Sequence, residues 1–125
     1  MLKSHIRGNQ VSLTPAIEEY IAKKSAAFEK YINPSDTSAS LYVEVGKVTE
    51  HHKQGDIFRA EFNLHIAGRQ LRSEAEAPDL NTAIDQAKDE LVEELRTTKD
   101  KEETMFRKGS RKIKDIVRNI YGRWN

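Results

Sequence analysis

The groups best suited to chemistry in this 125-residue sequence are cations close to its C-terminal end. Residues 105–125 hold Arg107, Lys108, Arg111, Lys112, Lys114, Arg118 and Arg123 against a single acid, Asp115, a local net charge of +6. The first 104 residues carry 14 bases and 19 acids, a net −5, so the formal total of +1 conceals a basic arm on an acidic body. Guanidinium and ammonium groups at this density neutralise phosphates and other anions, and the expected partner of the arm is a polyanion. The competing reading is a solvated helix face that binds nothing.

Other reactive residue types are less well placed. The histidines are His5, His51, His52 and His65. His51 and His52 are adjacent and point opposite ways on an extended backbone, and no HxH or HxxxH spacing brings a metal pair together. The sequence contains no nucleophile elbow, phosphate-cradling glycine loop or HExxH. Its carboxylates follow one helix and one sheet face, as solubility requires, without an obvious cleft. The expectation is a non-enzymatic protein with no metal, cofactor or small-molecule substrate. Cysteine is absent, which removes disulfides and thiolate ligands and suits a reducing, cytoplasmic setting. No stretch reaches the roughly 18 apolar residues of a membrane span.

The elements that must position these groups follow from periodicity. Residues 2–8 form a short strand ending at the Gly8-Asn9 turn pair. Thr14 and Pro15 are the N-cap and first position of an amphipathic helix of roughly four to five turns, with Ile17, Tyr20, Ile21, Phe28, Tyr31 and Ile32 on its stripe. Asn33-Pro34 stops it. Leu41, Val43 and Val45 then alternate with Tyr42 and Glu44, Phe58 to Ile66 alternate cleanly, and Leu71 to Ala77 follow after Gly68-Arg69. Three strands with short connections read as an antiparallel meander, with the first strand paired to one of them. Asp79 caps a second helix with Leu80, Ala83, Ile84, Ala87, Leu91 and Leu95 on its stripe. Polar residues 98–104 and Gly109-Ser110 then read as a junction before a third, basic helix.

The expected fold is α+β, two-layer, in the order β-α-β-β-β-α, with two helices on one face of a four-stranded sheet and a basic C-terminal helix beyond. The expected division is a domain over 1–104 and an extension over 105–125. Phe58, Phe62, Leu64, Leu41, Val43, Ile17, Ile21, Phe28, Ile84, Leu91 and Leu95 are the expected core. On the opposite face the middle strand of the meander offers Arg59, Glu61, Asn63 and His65 in place of the aromatics of a base-stacking sheet. RNA contact is therefore expected from helices and arm, through phosphates.

The segment RGNQVSLTPAIEEYIAKKSAAFEKYI, which contains Phe28-Glu29-Lys30-Tyr31, resembles the ribosome hibernation promoting factors, also called ribosome-associated inhibitors or ribosomal subunit interface proteins. Asp79-Leu80-Asn81-Thr82-Ala83-Ile84-Asp85 is similar to the start of that family's second helix, and the likeness spans roughly residues 2–100. The resemblance implies a protein that occupies the decoding region of the small ribosomal subunit, its basic helices lying against ribosomal RNA. Lys24, Lys30, Arg96 and Lys99 match basic positions of the family. Lys88, Lys101, Arg107, Lys108, Arg111 and Lys112 complete the candidate RNA-binding set. Ala27 stands where a lysine is common, Asn81 where a tyrosine is usual, and Glu90 and Glu93 where Lys and Arg are usual.

Two readings follow. The first is a ribosome-binding inhibitor of translation whose partner is small-subunit RNA rather than a membrane. The second is a protein-interaction or regulatory adaptor that keeps the fold but has lost its RNA face, because acids facing phosphates are repulsive. The arm itself resembles neither the ribosome-pairing domain of long family members nor the acidic tail of some short ones. RNA binding, packing on the body or a protein, and membrane-surface binding all remain open for it.

Overall fold

A computed structural model describes residues 2–48 and 55–122, with backbone alone at 102–103 and 105–122. The chain forms two compact units, Met1–Leu95 and Arg96–Asn125. The first contains strands β1 (Lys3–Asn9), β2 (Ser40–Val48), β3 (Ile57–Ile66) and β4 (Arg69–Ala77), helix α1 (Pro15–Ser25) and the start of helix α2 (Leu80–Gly122). The sheet order is β1-β2-β3-β4. β1 runs parallel to β2, and the other two pairings are antiparallel. The β-α-β-β-β-α order and the α+β class agree with the expectation from periodicity, which left the partner and direction of β1 open.

Local chemistry explains each turn. A Cβ on Gly8 would lie 2.5 Å from the Val11 carbonyl oxygen, so only glycine allows the chain to fold back after β1. Thr14 Oγ1 then accepts from the Ile17 N–H at 3.2 Å and starts α1, with Pro15 in its first turn. The β3–β4 hairpin turns on Ala67 and Gly68, with φ of 48° and 74°, the left-handed pair that matches the twist of adjacent strands. Asp36 Oδ2 accepts the Ala67 N–H at 3.0 Å and ties the loop after α1 to this hairpin. Asp79 caps α2 by accepting from the Thr82 N–H at 2.9 Å and from the Thr82 hydroxyl at 2.6 Å.

One face of the sheet carries the core. Leu41, Val43, Val45, Ala60, Phe62 and Leu64 are buried there against Ile21 and Phe28 and against Ala83, Ile84, Ala87, Leu91 and Leu95 of α2. Phe28 meets Phe62 edge to face with ring centres 5.5 Å apart. The buried Ser73 hydroxyl donates to the Ala87 carbonyl oxygen at 2.7 Å, linking β4 to α2.

Four expectations are corrected. The first helix is not continuous to Asn33: after Ser25 it tightens into a 3-10 segment, Ala26–Tyr31. Tightening at a helix C-terminus satisfies otherwise orphaned carbonyls, and here it spaces Phe28 and Tyr31 one 3-10 turn apart. Phe58 is half-buried rather than core, being near the start of β3 and paired with Lys47 and Ala77, while Ala60 fills the buried position beyond it. Ile17 is also half-buried, though it packs on the core. Finally, no junction separates a third helix, because α2 runs unbroken from Leu80 to Gly122 through Gly109-Ser110. One interior glycine costs a helix only about 1 kcal/mol, too little to end it. His51 and His52 lie outside the described residues, as do the side chains of the arm.

Candidate nucleic-acid interface

In the first unit the candidate cations lie on or beside the helices. Lys24 stands in the last turn of α1, but it does not point a free charge at solvent. Its Nζ lies 3.2 Å from Asp85 Oδ1 on α2 and 5.2 Å from the centre of the Tyr20 ring. The Tyr20 hydroxyl donates to the same Asp85 oxygen at 2.6 Å. That hydrogen bond, then burial and the Asp85 charge, pushes the Tyr20 hydroxyl up to about 12. In return, the Tyr20 hydrogen bond and the Lys24 ammonium hold the Asp85 carboxyl below its ordinary value. This cluster pins α1 to α2 and fixes where Lys24 sits, while Asp85 offsets its charge. Lys88, one turn along α2 from Asp85, is half-buried and pairs with Asp89 at 2.5 Å. Lys30 lies apart from these, exposed on the 3-10 segment, with Nζ 5.2 Å from the Tyr31 ring centre.

Glu90 and Glu93 are exposed and three residues apart, and so share a face of α2. In the second unit, Arg96, Lys99 and Lys101 are exposed on the continuing helix, with Arg96 and Lys99 also one helical turn apart. Arg107, Lys108, Arg111 and Lys112 belong to the same helix, and their side chains lie outside the described residues. Thus Lys24 is paired with Asp85 and Lys88 with Asp89, whereas Lys30 stands on its own segment.

The open face of the sheet holds a second polar arrangement. Arg59 donates to Glu61 at 2.6 Å and also to Glu74. Arg72 reaches Glu61 at 2.9 Å and Glu74 at 3.1 Å, and Asn63 donates to Glu61 at 2.6 Å. The Arg72 hydrogen bond, helped by Arg59 and Asn63 and opposed by burial, holds the Glu61 carboxyl at about 2. Beside this lattice stands a group of rings centred on Tyr42, a residue that sequence reasoning did not single out. His5 stacks on Tyr42, with ring centres 4.9 Å apart and planes 15° from parallel. His65 meets the Tyr42 ring edge to face at 5.5 Å. Each ring comes from a different strand, so inspection of β3 alone finds only His65. The available signal was the parity of Tyr42, which alternation already placed opposite the core.

Among the described residues, no group of three or more His, Asp or Glu side chains is placed to hold a metal ion, and no helix is long and apolar enough to cross a membrane.

Fold and polar surfaces together define a four-stranded α+β domain whose second helix, α2, carries basic positions. The chain belongs to the Sigma 54 modulation protein / S30EA ribosomal protein family, which it matches over residues 4–103. It is 32% identical over 102 residues to the ribosome hibernation promoting factor of Escherichia coli strain K12, covering 80% of this chain and 96% of that protein. It is 30% identical over 103 residues to the ribosome hibernation promotion factor of Bacillus subtilis strain 168, covering 82% of this chain but 51% of that longer protein. Among solved structures, the N-terminal domain of Thermus thermophilus Protein Y has a TM-score of 0.58 at 25% identity and covers 77% of this chain and 98% of that one. A ribosomal subunit interface protein from Coxiella burnetii shares the fold, with a TM-score of 0.60 at 19% identity over 79% of this chain and 98% of that one.

Proposed function

We propose that this protein is a non-enzymatic, cytoplasmic ribosome hibernation factor that binds the small ribosomal subunit at its decoding region. Family membership across residues 4–103 carries this reading. Lys30, Lys88, Arg96, Lys99 and Lys101 are assigned to ribosomal RNA phosphates, with Lys24 held in place by Asp85 and Tyr20. Arg107, Lys108, Arg111 and Lys112 of the 105–125 extension add the sequence-independent attraction of a dense basic stretch. No chemical step is needed: a folded domain occupying the messenger and transfer RNA channel keeps an idle subunit from initiating.

Co-sedimentation with purified small subunits at rising salt tests it. Binding should weaken steeply as salt competes for phosphate contacts. Changing Arg107, Lys108, Arg111 and Lys112 together to glutamine should flatten the slope of log affinity against log salt by roughly three units. A protein that stays at the top of the gradient even at low salt overturns the reading. The exposed Glu90 and Glu93 favour the second reading, an adaptor for a protein partner, and that outcome would support it.

A further inference from the structure

Strand register sorts the open face of the sheet into four complete rows. Lys3, Ser40, His65 and Gln70 form one row, and His5, Tyr42, Asn63 and Arg72 form the next. Neither contains a carboxylate. The following rows are Arg7, Glu44, Glu61 and Glu74, then Asn9, Gly46, Arg59 and Glu76. All four acids of the face thus lie at one end, and the aromatic rings lie at the other. Glu44, Glu61 and Glu74 are each paired with an arginine, and Lys3 at the acid-free end is exposed.

Tyr42 keeps 47% of its surface exposed, the one large hydrophobic residue among those described to do so. His5, also exposed, extends its ring stack toward the sheet edge, since β1 is an edge strand among the described residues. Near-parallel planes at stacking distance form a short column that another planar ring can continue. The patch is only three rings wide and is bordered by the polar side chains of Ser40, Asn63 and Gln70 and by Lys3. A protein interface needs a broader apolar centre. Flat, aromatic and anionic is the chemistry that fits.

We propose that the His5–Tyr42 pair is a stacking site for an unpaired base of single-stranded RNA, with Lys3 meeting the adjoining phosphate. Base stacking on exposed sheet aromatics tolerates any sequence, because every base has a π face. This site is independent of the basic helix positions assigned above, and it gives the domain a second way to hold RNA. It reads bases exposed by unpairing, whereas lysines and arginines on helices respond to phosphate alone.

Fluorescence anisotropy on the full chain tests it with two labelled probes, a decauridylate and a ten-unit abasic strand of the same backbone. The wild type should bind the decauridylate more tightly. Tyr42→Ala and His5→Ala should each weaken that binding by about tenfold or more, leaving abasic binding and the salt slope unchanged. Tyr42→Phe should retain wild-type affinity because it keeps the ring. Since both residues are exposed, unchanged melting midpoints will confirm that the variants fold. Equal wild-type affinity for the two probes overturns the proposal, as does wild-type affinity in Tyr42→Ala. Self-association lost in Tyr42→Ala without base-dependent binding also overturns it and assigns the patch to a second copy. The two functional readings fail separately: absent co-sedimentation refutes the helix reading, and absent base dependence refutes this one.

Discussion

The two faces of the sheet are made by the same four strands, yet they are held together differently. On the covered face, Phe62, Leu41, Leu64 and Val45 are fully buried, and Phe28 locks against Phe62. On the open face, order comes from cross-strand pairs: an arginine–glutamate lattice at one end and three rings at the other. Burial is non-directional and scales with area, so the covered face depends on volume and fit. Charge pairs and ring stacks are directional, so the open face depends on which residues stand opposite each other. A face of the first kind tolerates little change in size. One of the second kind tolerates changes of size but responds to pH, salt and ligands.

Four substitutions probe that difference, taken from the largest expected effect downward. Phe62→Ala should cost roughly 3–5 kcal/mol in a denaturant melt, because the ring is fully buried and its loss leaves Phe28 unpartnered. A neutral result would show that the covered face has been misassigned.

Glu61→Gln attacks the open face through its most connected carboxylate. With the folded Glu61 held at about 2 against an ordinary value of 4.5, its contribution to stability is present above pH 4.5 and is lost as pH falls through about 2. The variant should lose about 2–3 kcal/mol at neutral pH and show a flatter stability profile between those limits. Parallel acid profiles for variant and wild type would remove the lattice from the stability of this face.

Tyr20→Phe deletes the hydroxyl that bridges α1 to Asp85 on α2. A hydrogen bond to a charged, partly exposed group sets the expected loss at about 1–1.5 kcal/mol. The Asp85 carboxyl should rise toward its ordinary value, a shift that NMR titration reads directly. Tyr42→Ala should change stability least, by less than about 0.5 kcal/mol, because the residue is exposed. The sharpest contrast between the faces is therefore Phe62→Ala against Tyr42→Ala, two aromatic truncations on one sheet, one registering as stability and the other as binding.

Much of this architecture was legible in the sequence. Alternation in β3 assigned Phe62 and Leu64 to one face and Arg59, Glu61 and Asn63 to the other, since side-chain period two is a local property of an extended chain. Thr14, Pro15 and Asp79 marked helix starts because capping uses side chains within three residues of the backbone they satisfy. The family's motifs were readable for the same reason, being short and continuous.

The 3-10 tightening after Ser25 and the unbroken course of α2 were not legible in this way. Helix continuation past Gly109 turns on about 1 kcal/mol, below what composition alone resolves. The state of Lys24 was equally hidden: its neighbours Tyr20 and Asp85 lie on two helices, 65 residues apart in sequence.

By itself the sequence determined periods, caps, turns and the separation of charge between body and arm, all set by neighbours along the chain. Only the tertiary structure decided which cation meets which acid and which rings share a row, because strand register and helix docking join residues that the chain keeps far apart. His5, Tyr42 and His65 are single rings on three strands in the sequence, and they become one surface when the sheet closes its register.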